Sequence, residues 1–214
     1  MLLAFDTATP LVTVALHDGD AVVVEHMSEQ RMKHGEQLAP LIERAMKGAG
    51  IVRQDLTALA VGVGPGPFTG LRVGLVTART LGFVLDIPVY GVCSLDVLAL
   101  EAVDTGTVTG EGDFVVATDA RRREVYLASY DPDGRRLDGP VVDKPAALAT
   151  EASAVGEGAV LYPDHFPHPA GPTRPSAAWL ARAVAEERAE LRDPDPLYLR
   201  RPDAATPGPR KPAS

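Results

Sequence analysis

Two aspartates stand where an apolar run breaks off: Asp6 after Leu2–Phe5, and Asp119 after Phe114–Thr118. Thr7 follows the first and Ala120 the second. Strand-end carboxylates facing each other across a cleft can hold magnesium and phosphates. An aspartate in that place also caps turns by accepting backbone N–H groups, and the residues alone leave both roles open. The segment Gly62-Val-Gly-Pro-Gly-Pro-Phe-Thr-Gly70 joins an apolar run to a helical pattern. Gly64, Gly66, Thr69 and Gly70 could present backbone N–H donors there to an anion at a helix start; a tight strand-to-helix turn needs such glycines equally. Neither nucleotide fingerprint is met. Gly70 is followed by Leu71-Arg72, where a P-loop requires Lys and then Ser or Thr, and Thr69 stands where a dinucleotide motif has its third glycine. Asp119-Ala-Arg-Arg-Arg-Glu124 offers Arg121 to an anion, or is a solvated hairpin tip.

Other chemistry is scarce. His34 opens a helical pattern, but Gln37 and Leu38 occupy the positions where a helical metal pair needs its second ligand. His165 and His168 lie in a proline-rich loop. Cys93 and Ser94 end a strand pattern, with Cys93 suited to a buried small apolar role. No nucleophile, base and orienting group fall at useful spacing, so no catalytic residue and no metal ligand are assigned.

Composition narrows the setting. The chain has 214 residues with Lys+Arg 21 and Asp+Glu 29, a net charge of −8, and one cysteine. That length can bury a sizeable core. One cysteine excludes a disulfide scaffold and suits a reducing compartment. No signal-like start and no uncharged apolar stretch of about 18 residues is read, so no membrane partner is expected and a cytoplasmic location is. The acidic balance disfavours a dedicated nucleic-acid binder. The charge is uneven: from Arg192 onward five basic residues face three acidic ones, a +2 tail on a −10 body.

The elements that must place these residues can be read from period and punctuation. Leu2–Asp6, Leu11–His17 and Ala21–Met27 form a three-stranded meander, with Asp18-Gly19 as a hairpin turn. A helix follows, then strand Ala58–Val63, a helix over about 69–85, strand Val89–Val92, and a helix from about Leu95 with Ser94 as its N-cap. After a Gly/Thr-rich linker the plan restarts. Without gaps, residues 2–18 and 115–131 share Ala4/Ala117, Asp6/Asp119, Val12/Val125, Ala15/Ala128 and Asp18/Asp131. This reads as an internal duplication: an α/β lobe over 1–104, an abbreviated second lobe over 105–191 closed by a helix over 176–188, and a proline-rich tail over 192–214 that need not be ordered.

Two helical stripes stand out. Leu38, Leu41, Ile42, Ala45, Met46 and Ala49 form one apolar face. In the next helix Leu71, Leu75 and Ala78 alternate with Gly74 and Gly82. A glycine inside a helix costs about 1 kcal/mol against alanine, so close backbone approach must offset it. The neighbour is either the protein's own sheet or a helix of another chain.

Six segments together resemble the TsaB (YeaZ) family: Asp6-Thr-Ala-Thr-Pro10, His34-Gly-Glu-Gln-Leu-Ala-Pro-Leu41, Val61-Gly-Val-Gly-Pro-Gly-Pro-Phe-Thr-Gly-Leu-Arg72, Gly91-Val-Cys-Ser-Leu95, Asp119-Ala-Arg-Arg-Arg-Glu-Val-Tyr126 and Pro196-Leu-Tyr-Leu-Arg-Arg201. The match runs from residue 2 to about 203. The resemblance implies an ASKHA (actin and sugar-kinase-like) duplicated fold. It implies a non-catalytic dimerising and activating subunit, docked on the catalytic subunit TsaD and working with the ATPase TsaE. That complex forms N6-threonylcarbamoyladenosine at position 37 of tRNAs reading ANN codons. It further implies no cofactor on this chain, with ATP and metal on the partners, tRNA contact mainly through the complex, and a homodimer for the free chain. The family's helical interface would fall on His34, Leu38, Leu41, Ile42, Ala45, Leu71, Gly74, Leu75, Ala78 and Gly82. Asp6, Thr7, Gly64, Gly66, Thr69, Gly70, Asp119 and Arg121 are the nucleotide or anion candidates. The competing reading is an enzyme acting alone, an ATP-dependent phosphotransferase of this fold or a glycoprotease-like hydrolase.

Overall fold

The computed structural model describes residues 1–28, 30, 33–108 and 112–200. Its first sheet contains β1 (Leu2–Asp6), β2 (Thr13–His17), β3 (Val22–Met27), β4 (Ala58–Gly64) and β5 (Val89–Cys93), ordered β3-β2-β1-β4-β5. The second contains β6 (Phe114–Asp119), β7 (Val125–Tyr130), β8 (Arg136–Asp143), β9 (Ala154–Val155) and β10 (Pro169–Ala170), ordered β10-β9-β6-β7-β8. Read from the meander inward the two orders are the same. In each, two antiparallel pairings precede parallel ones. The duplication inferred from five matched residues is therefore a duplication of topology.

Matched aspartates do matched work. Asp6 Oδ1 accepts the N–H of Ala8 at 2.6 Å, and Asp119 Oδ1 accepts that of Arg121 at 2.9 Å. Asp18 Oδ1 accepts from Asp20 and Ala21, and Asp131 Oδ1 from Asp133 and Arg135. Both pairs tie turns, as short polar side chains do when they satisfy local donors.

Among the described residues, five α-helices fill the layers: α1 (His34–Ala49), α2 (Phe68–Leu85), α3 (Ser94–Asp104), α4 (Glu157–Leu161) and α5 (Ala177–Ala185). The second lobe is abbreviated where α2's counterpart, α4, has five residues. β1 is buried on both faces, which explains its unbroken apolar run. Leu3 and Phe5 join the core beneath α1 and α2, whereas Leu2 and Ala4 join the core beneath α5.

The last helices are exchanged between lobes. α3 packs Leu95, Leu98, Ala99 and Ala102 against Phe114, Val116 and Tyr130 of the second sheet. α5 packs Leu180, Ala181 and Val184 on Leu2, Ala4 and Ala60 of the first. α5 thus covers the first lobe's sheet rather than closing the second lobe. Its amphipathic period was legible, but period does not say which sheet a helix returns to. Glu25 of β3 anchors its start, accepting from Ser176 Oγ at 2.7 Å and the Ala178 N–H at 3.2 Å.

Two more expectations change. Ser94 is the first residue of α3, not its cap, and its hydroxyl donates to Asp6. The start of the tail is docked: Arg192 and Gly91 exchange backbone hydrogen bonds, and the Leu197 N–H donates to the Val63 carbonyl at 2.9 Å. Residues 201–214, which complete the basic tail, lie outside the described residues.

Candidate functional site

The strand-end carboxylates do not face a cavity together. Asp6 is 1% exposed. Its Oδ1 is taken by Ala8 N–H, and its Oδ2 accepts the Ser94 hydroxyl at 2.6 Å. Burial pushes its carboxyl above the ordinary carboxylate range, against the pull of the Ser94 and Ala8 hydrogen bonds. Asp6 is a turn clamp, with both oxygens engaged. Asp119, partly buried, lies with Thr9, Pro67, Arg121 and Glu157 around a space of about 10 Å³ between the lobes. Such a volume is about that of one water probe.

The glycine segment is a tight strand-to-helix turn in close contact with the β1–β2 turn. A Cβ on Gly66 would stand 2.5 Å from the Ala8 carbonyl oxygen, and one on Gly70 would stand 2.7 Å from that of Thr7. Gly64 holds φ +95°, which suits glycine. Thr7 is fully buried and its Oγ1 has no hydrogen-bond partner. Of the anion candidates, Asp6, Thr7, Gly64, Gly66 and Gly70 are buried, while Thr69 is exposed on α2 and Arg121 on the β6–β7 turn. The structure does not gather them into one open site.

His34 has a structural part as well. It is 5% exposed, and its Nε2 lies 2.6 Å from the Thr9 carbonyl oxygen. Nε2 must be the protonated, donating nitrogen in that bond. Among the described residues, no three His, Cys, Asp or Glu side chains are grouped to hold a metal.

The stripes assigned to a partner interface face inward. Leu38, Leu41, Ile42 and Ala45 of α1, and Leu71, Leu75 and Ala78 of α2, all lie in the core against β1, β2 and β4. Gly74 packs on Thr7, and a Cβ on Gly82 would collide with Val89 of β5. The glycines offset their helix cost by letting α2 lie on the protein's own sheet. That removes these residues, and His34, from the interface assignment.

The opposite face of α2 is the unpartnered one. Val76 is 57% exposed, Val84 68% and Phe83 88%. Phe68, Thr69, Arg72, Val73, Val76 and Thr77 line an open groove of about 410 Å³ along it. α2 is long and apolar enough to span a membrane by length and composition, because it carries apolar side chains on both faces. One face is explained by the sheet. The signal for the other was available: Val76 and Phe83, seven residues apart, lie across the helix from the glycine stripe.

A duplicated pair of mixed sheets whose last helices are exchanged between the lobes is an ASKHA-type fold. Residues 28–172 match the family model described as TsaD: tRNA N6-adenosine threonylcarbamoyltransferase. The tRNA threonylcarbamoyladenosine biosynthesis protein TsaB of Escherichia coli is 33% identical over 174 residues, 76% of this chain and 74% of that protein. An uncharacterized Mycobacterium tuberculosis protein is 44% identical over 208 residues, 95% of this chain and 93% of its own. The solved YeaZ of Pseudomonas aeruginosa superposes with a TM-score of 0.76 at 28% identity, covering 92% of this chain and 99% of that one. The chain belongs to the TsaB (YeaZ) family.

Proposed function

We propose that this chain serves tRNA threonylcarbamoyladenosine formation as a non-catalytic docking subunit, with the outer face of α2 as its interface to a TsaD-type catalytic subunit. The observation that carries this reading is the exposed row Val76, Phe83 and Val84 on a helix whose other face is already satisfied by its own sheet. Contiguous apolar surface of this kind marks interaction sites on soluble domains. A partner of the same duplicated fold would present a helix in the corresponding place, so the two chains would bury these side chains in a quasi-symmetric contact. When free, the chain would cover the same face with a second copy of itself. ATP and metal chemistry, and the contribution of TsaE, belong in this reading to the partners.

The burial of Asp6, 1% exposed with a hydrogen bond already accepted by each oxygen, favours docking over a phosphotransferase acting alone. The test is co-purification of the full chain with the TsaD-type subunit from the same organism. Val76→Asp and Phe83→Asp should abolish pairing while leaving the fold intact. A variant that still pairs at wild-type affinity would remove α2's outer face from the interface.

A further inference from the structure

The outer row of α2 is not purely apolar. Arg72, Val76, Arg79 and Phe83 follow one another at three- or four-residue steps, so they share one face of the helix. Both arginines are exposed. Between Phe68 and Leu85 the helix has no Asp or Glu, so these two cations are its only charges, in a chain that is acidic as a whole. Their surroundings differ. Arg79 pairs with Asp195 of the docked tail. Arg72 lies over the Phe68 ring at 5.1 Å, and among the described residues no carboxylate pairs with it.

Arg72 is also held in place. The Phe68 ring is stacked on Tyr198 of the tail, with centroids 5.1 Å apart and planes 27° from parallel. The ring contact occupies the flat face of the guanidinium and leaves the N–H donors around its edge unused. Arg72 lines the open groove together with Phe68, Val73 and Val76. A partner seated on Val76 therefore also covers Arg72, one turn away, and takes water from it. A guanidinium covered without a counter-charge is costly, so the covering surface must supply an acceptor. A carboxylate matches the guanidinium edge with two parallel hydrogen bonds.

We infer that Arg72 selects the partner: the docked chain sets an Asp or Glu side chain against this guanidinium, beside the apolar surface that receives Val76 and Phe83. This selectivity rests on the docking reading and adds to it the charge that the partner's helix must carry. A second copy of this chain is the poorer occupant. Val76 lies at the middle of α2, so a two-fold pair crossing there brings Arg72 of one copy towards Arg79 of the other. Arg72 is thereby a specificity residue, which favours an acidic helix and penalises self-association.

The experiment measures two equilibria of the full chain: pairing with the TsaD-type subunit from the same organism, by titration calorimetry at low and at physiological salt, and self-association of the free chain, by sedimentation. Arg72→Gln and Arg72→Glu are compared with Val76→Asp and with Lys144→Glu, which reverses an exposed cation just after β8 in the second lobe. Arg72→Gln should weaken pairing about tenfold and Arg72→Glu about a hundredfold, and Arg72→Gln should lose the salt dependence that wild-type pairing shows. Lys144→Glu should stay within about twofold of wild type. Self-association should move the other way and tighten in Arg72→Gln, a split in sign that a folding defect does not produce. The proposal is overturned, with docking intact, if Val76→Asp abolishes pairing while Arg72→Glu pairs as tightly as wild type, or if Arg72→Gln weakens self-association as well. If Val76→Asp itself pairs like wild type, the docking reading fails and the selectivity fails with it.

Discussion

Gly74 of α2 lies directly on Thr7 of the β1–β2 turn: a Cβ at position 74 would come closer than 3.0 Å to the Thr7 Oγ1. The contact fixes which way α2 faces. It turns the small-residue stripe onto the sheet and the bulky Val76 and Phe83 outward. Gly74→Ala should therefore destabilise the fold by about 1–3 kcal/mol, the range for overpacking a well-packed site. Thr7→Ala alone should cost little, since its buried hydroxyl has no partner to lose, and Thr7→Ala should recover much of the loss in the double variant. Urea unfolding of the four proteins measures the coupling. Purely additive effects would contradict the contact.

Glu101 of α3 gives a pH signature. Partial burial pushes its carboxyl up to about 7, and the Glu25 carboxylate adds to the effect. The folded state then holds a proton that the unfolded state releases near pH 4.5. Stability is full below that value and declines as pH rises through 7. Glu101→Gln should flatten this slope and leave the variant more stable at pH 8. The side chain is only partly buried, so screening limits the gain to about 1 kcal/mol. Melting temperatures from pH 5 to pH 8 check it; parallel slopes in parent and variant would rule it out.

Ser94 and Asp6 form a buried pair, hydroxyl to carboxylate at 2.6 Å. Ser94→Ala leaves one carboxylate oxygen unsatisfied in the core and should cost about 1–3 kcal/mol. The loss should be larger at high pH, where the unpaired carboxylate has to ionise. Denaturation at pH 5 and at pH 8 separates this from a simple packing defect, which would be equal at both.

Most of the first lobe was legible. The meander, the buried run of β4 and α2 follow from period and turn residues, and the repeat of Asp6 and Asp18 at Asp119 and Asp131 announced the second lobe. β9, β10 and α4 were not read, because two-residue strands and a five-residue helix are too short to show a period, and β8 was not read because Gly139-Pro140 interrupts its run. The site was read less well for a physical reason. A stripe of glycine and alanine says that something approaches closely, not whether it is the same chain. Likewise, Asp6 has the residue type for magnesium, and only the positions of Ala8 and Ser94 show that its oxygens are already engaged.

The docked tail makes another distinction. Leu197 packs against both major cores and its N–H closes on Val63, so residues 192–200 belong to the fold. Truncation after Leu191 should lower the melting temperature by several degrees, consistent with losing about 1–2 kcal/mol of burial. An unchanged melting temperature would return the segment to the status of a loose tail.

The central claim is that α2's outer face docks a TsaD-type partner. The most direct measurement is size exclusion with light scattering on the full chain mixed with that subunit, comparing wild type, Phe83→Asp and Val76→Asp. The account predicts a stoichiometric complex for wild type, and separate peaks for both variants at unchanged melting temperature. A Phe83→Asp chain that still elutes with its partner as tightly as wild type would contradict it.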